Sequence, residues 1–402
     1  MNKRTLGTVA RGIRTGLVRA GDDPVEVVVG ALRESWENEG WRPRDRDVVG
    51  VTESLVARAQ DNYVTVDRVA GEARESFRRS CAVVFPILSR NRFSLILKGL
   101  ARGLEEVFIL LSYPDDEVGN PLMDYARLAA SGLNPADDLL TEEDYRLRFG
   151  PRFLHPFTGL DYLEFYREIV ESQGARCTIA LTNRPGHALK YCPRVLAADI
   201  HTRERTVNAL REAGADQALS LADFCRRPRD GSGFNPDYGL LGSNKSGEER
   251  LKLFPRVRDE RGNRYVMKIR ERLKELTGKS VEVLIYGDGA FKDPVAGIWE
   301  LADPVVAVDH TPGLEGTPKE VKIKYLADEK LAGVEAEKAE EMLRHELRRR
   351  RDREVSAMAA QGTTPRRLTD LLGSLCDLTS GSGDKGTPIV LVQGYFDNYA
   401  DY

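Results

Sequence analysis

Little in this sequence points to a membrane, a metal cluster or a nucleic acid. Five cysteines (Cys81, Cys177, Cys192, Cys225 and Cys376) are scattered over 402 residues without CxxC spacing. That excludes a zinc-cluster or disulfide-framework reading and fits a reduced, cytoplasmic setting. There is no run of about 18 apolar residues, and the start MNKRTLGTVARGIRTGL has no apolar core, so neither a membrane span nor secretion is expected. An excess of one charge is also missing. Sixty Lys and Arg against 63 Asp and Glu leave a net charge of -3, so no bulk field favours nucleic acid. His187 and His201 have no carboxylate paired with them in the sequence, which argues against a catalytic reading of either.

What is present suits a soluble globular protein, with 41% hydrophobic and 31% charged residues. The length allows two or three domains, or one domain with large insertions. The organising stretch is VEVLIYGDGAFKDP, residues 281–294. Its apolar, β-branched beginning lacks helical spacing and ends in Gly287, Asp288 and Gly289, so it reads as a buried strand entering a tight turn. Asp288, at the carboxyl end of a strand, is a metal-ligand candidate. A solvated turn carboxylate would produce the same local sequence.

Asp22 or Asp23 ahead of Pro24 predicts a helix start, with Val25, Val28, Val29 and Leu32 on one face until Gly40. Residues 45–52 read as a turn and a buried strand, followed by a helical turn over 54–60 that carries Arg58. Arg90, Asn91 and Arg92 precede an apolar helix over 93–103 and suit a phosphate or carboxylate; solvated turn charges are the alternative. A second buried strand over 107–112 leads to Asp115, Asp116 and Glu117. Three consecutive carboxylates repel unless water or a cation intervenes, which makes them acceptor or second-cation candidates.

Residues 124–155 read as acidic and loop-like. Helical spacing over 160–173 and 203–212, around a strand at 177–181, suggests a βα layer. The loop SGFNPDYGLLGSN gathers Asn235, Asp237, Ser243 and Asn244, with Lys245, Lys252 and Arg256 after it. A helix follows over 266–276. Residues 326–361 read as one long charged helix whose Arg348 to Arg351 run is a solvated face or dimer contact. Residues 379–388, TSGSGDKGTP, form a phosphate-sized loop ahead of a strand over 389–392.

Four stretches together resemble the coenzyme F-420-0:L-glutamate ligase (γ-glutamyl ligase) family. They are GLVRAGDDPVEVV, RDVVGVTESLVARAQ, GLLGSN with VEVLIYGDGAFKDP, and DLLGSLCDLTSGSGDKGTPIVLVQG, which cover less than half of the chain. The resemblance implies a mixed α/β (α+β) ligase-like fold. Residues 1–84 and 231–402 would form it, and 85–230 would be a large inserted βα region. It implies GTP or another NTP as co-substrate, Mg²⁺ or Mn²⁺, and a homodimer. The amine of L-glutamate would be joined to a small-molecule carboxylate acceptor after GTP phosphorylates that carboxylate; no nucleic acid or membrane takes part.

Carried over by position, Gly16, Leu17, Val18, Arg19, Thr52, Glu53, Ser54, Arg58 and Asn244 would contact nucleotide. Thr379, Ser380, Gly381, Ser382, Gly383, Asp384, Lys385 and Gly386 would wrap its phosphates. Asp288 would bind metal, and no catalytic residue is assigned. Four positions depart from the family pattern. Leu241 stands where the family has a metal-binding Asp, with Asp237 as a substitute; Gly289 replaces a hydroxyl, Ser382 a Gln, and Thr52-Glu53-Ser54 a lysine-bearing segment. These departures also suit an alternative, a catalytically silent nucleotide-binding or sensor protein that keeps the fold.

Overall fold

The structure, a computed structural model, describes residues 6–288, 305–317, 322–349, 367–381 and 383–397. Its first sheet has five strands in the order Val9–Ile13, Ile389–Gln393, Val48–Thr52, Glu282–Asp288 and Val305–His310. Only the central pair, Val48–Thr52 and Glu282–Asp288, runs parallel. Both of these strands are apolar on both faces because helices cover both, and that is why they read as continuous hydrophobic runs. One covering helix, Pro24–Glu39, starts as the sequence predicts. Asp23 accepts the N–H of Val25 at 2.8 Å, Pro24 fills the first turn, and Val25, Val28, Val29, Leu32 and Trp36 are buried. Each such side chain contributes about 1.5–3 kcal/mol when taken from water. The opposite cover is Leu368–Ser380, whose Leu372 and Cys376 pack on Tyr286 and Val390.

The middle of the chain builds a second sheet of six strands. Five are parallel and one, Leu140–Thr141, is an antiparallel edge. In chain order the parallel strands are Ser80–Val84, Glu106–Leu111, Arg176–Leu181, Arg194–Ala197 and Gln217–Ser220. In space they lie third, second, first, fourth, fifth, which is a doubly wound arrangement. Cys81, Val83, Val107 and Ile109 face one hydrophobic cluster; Ala82, Val84, Leu110 and Val195 face another. The βα layer expected here is therefore a complete α/β unit, and its first strand lies before residue 85.

A small antiparallel sheet, Ser243–Lys245, Arg250–Leu253 and Tyr63–Thr65, joins the two. Helices Val66–Phe77 and Arg92–Gly103 close the junction. A Cβ on Gly99 would stand 2.6 Å from Val69, so the axes approach at a distance only glycine permits. Arg102 seals the rim with Asp67 and Glu249, each at 2.8 Å.

Two expectations are corrected. Residues 326–361 are not one helix: Ile323–Lys330 and Ala336–Arg349 are separate, with Gly333 at φ 79° between them. A left-handed residue cannot continue a right-handed helix, and the break lets Leu326 fold onto Leu343 and Leu347. Residues 350–361 lie outside the described residues. Nor are residues 124–155 simply loop. Helices Tyr125–Ala130 and Glu142–Phe149 form there, the second started by a reciprocal Thr141 and Asp144 capping box, and Tyr145 and Phe149 are buried.

Candidate active site

Cross-strand register aligns Ile13, Ile389, Val51 and Ile285 in one row across the first sheet. What lies just beyond that row on each strand meets at one edge. After Ile13 comes the 14–19 segment; after Val51 come Thr52, Glu53 and Ser54. Beyond Ile285 lie Tyr286, Gly287 and Asp288, and ahead of Ile389 lies the 379–388 loop. Segments at opposite ends of the sequence thus share the carboxyl end of the parallel pair, the place where open α/β sheets present ligand sites.

Backbone contacts hold the segments together. Thr52 N–H donates to Pro388 O at 2.9 Å, and Thr15 N–H donates to Gly386 O at 3.3 Å. Arg58, exposed on helix Glu53–Ala59, sends its Nε to the Val18 carbonyl at 2.6 Å and so fixes the 16–19 turn. Arg14 Nε reaches Lys385 O at 3.4 Å. Gly381 sits at φ 63°, and a Cβ there would stand 2.5 Å from Lys385 Nζ, so the lysine stem lies directly over the glycine. Thr387 Oγ1 closes the loop onto Ser380 O at 3.0 Å. Gly383 and Asp384 form its short turn, Thr379 is tied back to Leu375, and Ser382 lies outside the described residues.

Glu53 is the buried acid of this edge. Its side chain lies across Gly287, where any Cβ would overlap it, and its Oε1 is paired with Lys252 Nζ from the small sheet. Lys252 stands opposite Asn244 in the register, so the two share one face of that sheet. Asn244 is thereby brought to the same edge. Asp288 ends its strand; its side chain is outside the described residues, as is Gly289. Leu241 is buried in the core, and Asp237 is exposed in a turn organised by Asn235. Among the described residues, no three His, Cys, Asp or Glu side chains are gathered to hold a metal ion.

Beside the edge, an open cleft of about 1380 Å³ runs between Gly21, Asp22, Gln60, Arg256, Arg264 and Lys268. Arg256 is stacked over Phe234, its Cζ 4.7 Å from the ring centroid. Of the cleft's basic groups, Arg256 follows the loop over 232–244 and Lys268 lies on the helix expected over 266–276.

The other candidates sit at the carboxyl end of the six-stranded sheet. Asp116 is buried and accepts the N–H groups of Leu88, Val118 and Asn120 at 2.8–3.0 Å, tying two stretches of loop together. Burial raises its carboxyl despite those donors. Glu117 accepts from the backbone of Ile200 and His201. Burial and the nearby charge of Asp199 push its carboxyl to about 7. Asp115 accepts from Tyr125 at 2.5 Å, and Arg90 is exposed. Arg92 alone of this group reaches the ligase-like part, donating to Leu241 O at 3.3 Å. Sequence reasoning did not place Lys252 at this edge. The alternation in Arg250–Leu253, with Leu251 and Leu253 buried and Lys252 between them, was the available signal.

The architecture is that of a mixed α/β enzyme with a cation-rich loop cluster at the end of a sheet. Residues 12–394 match the model of the family described as F420-0:Gamma-glutamyl ligase, and the chain belongs to that family. The match runs through the middle region that none of the four motifs reaches. Membership places the chain among amide-bond-forming ligases of coenzyme F420 assembly. No curated protein matches it. Among the described residues no helix is long and apolar enough to cross a membrane.

Proposed function

We propose that this protein uses GTP or another NTP, with Mg²⁺ or Mn²⁺, to activate a carboxylate on a small-molecule acceptor and joins it to the amine of a glutamate-like amino acid. The observation that carries the reading is the convergence of the 14–19, 52–58 and 379–388 segments on the end of the Glu282–Asp288 strand. Arg14, Arg58, Lys252 and Lys385 gather there, and phosphoryl transfer needs such cations to offset charge on the moving group. A divalent ion suits this edge as an ion held by one protein carboxylate, Asp288, and by phosphate oxygens, the usual manner for Mg²⁺. When bound, it would screen the phosphates. The cleft beside Gly21 and Arg256, lined by acids such as Asp22 and Glu271 as well as by arginines, offers room for an acceptor. The family likeness supports a homodimer, and five free cysteines suit the cytoplasm.

Phosphate release tests this. Purified protein with Mg²⁺ or Mn²⁺, GTP or ATP, and glutamate should release phosphate only when a carboxylate acceptor is added, and Asp288→Asn should abolish release. Unchanged turnover in that variant would sink the assignment of Asp288. One observation favours the silent sensor instead: Leu241, in the place of a family metal ligand, is 1% exposed and built into the core. A sensor would bind nucleotide equally well with and without divalent cation and release no phosphate.

A further inference from the structure

The doubly wound sheet has its topological switch point between Ser80–Val84 and Arg194–Ala197. Helix Arg92–Gly103, after the first strand, contributes Ile96 and Leu100 to the core on one face. Helix Arg203–Glu212, after the second, contributes Val207 and Leu210 to the other. Diverging connections of this kind open a crevice at the carboxyl ends, where ligands of such sheets lie.

Both helices begin without a side-chain cap, Asn91 and Thr202 making no such bond, so their first N–H groups face the crevice end unspent on a cap. Independently, Asp199 is 1% exposed. Its Oδ2 accepts from Thr202 and Thr206 at 2.7 and 2.6 Å, while its Oδ1 is buried with no hydrogen-bond partner. A buried carboxylate oxygen left unpaired is costly, and burial disfavours the charged forms of both Asp199 and its neighbour Glu117. A group that brings N–H donors and positive charge removes that cost. No three-ligand metal cluster exists among the described residues, so a directional ammonium suits the position better than a bare ion.

We propose that this crevice binds a free α-amino acid, its ammonium on Asp199 and its carboxylate at the two helix starts beside Arg90. The assignment deepens the ligase reading and rests on it, by giving the amine donor a seat on the inserted sheet. Arg92, bonded to Leu241 O, ties that sheet to the loop leading to Asn244.

Calorimetric titration of the full chain with L-glutamate, without nucleotide, tests it. Binding should weaken about tenfold or more in Asp199→Asn, the effect expected of losing a charge-assisted hydrogen bond. Glutarate, which lacks the ammonium, should bind the unaltered protein more weakly by a similar factor, so the test survives if the variant fails to fold. Glutamate should also slow amide exchange in a peptide covering 199–206. Equal affinity for glutarate and glutamate, or unchanged exchange at 199–206, overturns the proposal. So does binding of inorganic phosphate that excludes glutamate, or no glutamate binding at all, which would leave an internal water as the partner of Asp199. Asp288→Asn should leave glutamate binding intact while removing turnover, which separates failure of this site from failure of the ligase reading.

Discussion

Lys252 and Glu53, 199 residues apart in sequence, form an ion pair that links the small sheet to the end of the central strand pair. The lysine side chain is 12% exposed and the glutamate 7%, so neither charge has water as an adequate partner. Removing one member should therefore hurt far more than removing both.

Lys252→Met takes the ammonium from the buried Glu53 carboxylate, with an expected loss of about 1–3 kcal/mol of stability. The double variant Lys252→Met/Glu53→Gln should recover most of it. Urea unfolding of the three proteins measures this, and equal stability of the single and double variants would refute a coupled pair.

Gly381→Ala places a Cβ against Lys385 Nζ and forces a non-glycine residue into the left-handed region. Distortion of the 379–388 loop should raise the KM for nucleotide about tenfold or more, with a smaller effect on the acceptor. An unchanged nucleotide KM would remove this loop from the phosphate site.

Two glycines near the junction of the sheets should respond in opposite directions. Gly103→Ala drives its Cβ into the Ala70 backbone and should cost roughly 1–3 kcal/mol. Gly71→Ala, in helix Val66–Phe77 with open space around it, should stabilise by about 0.5–1 kcal/mol. Thermal unfolding distinguishes them; two shifts of the same sign would contradict the packing described.

Glu117 gives a pH dependence with a defined sign. Its carboxyl titrates at about 7 in the folded protein, raised from about 4.3 in an unfolded chain. Between these values the folded state keeps a proton that the unfolded state has lost, so this group's contribution to stability falls as pH rises from about 5 to 7. Glu117→Gln should flatten that part of the stability profile. A profile that stays equally steep in the variant would assign the slope to other groups.

The sequence alone determined most of what is local. The cap at Asp23 and Pro24, the buried runs at 48–52 and 282–286, and the helix over 266–276 follow from side-chain size, periodicity and capping, all of which act over a few residues. Family membership was legible too, since its motifs lie in such short segments. Local signals misled at Gly333, where one left-handed residue outweighed a long helical charge pattern, and at Thr141, where a capping box was hidden in an acidic stretch. Only the tertiary structure decided that Ile389 pairs with both Ile13 and Val51, that Lys252 answers Glu53, and that Asp199 lies at a switch point with one oxygen unpaired. Those relations depend on strand order and burial, and a pairing across hundreds of residues leaves no period in the chain because its free energy arises only when both partners lose water together.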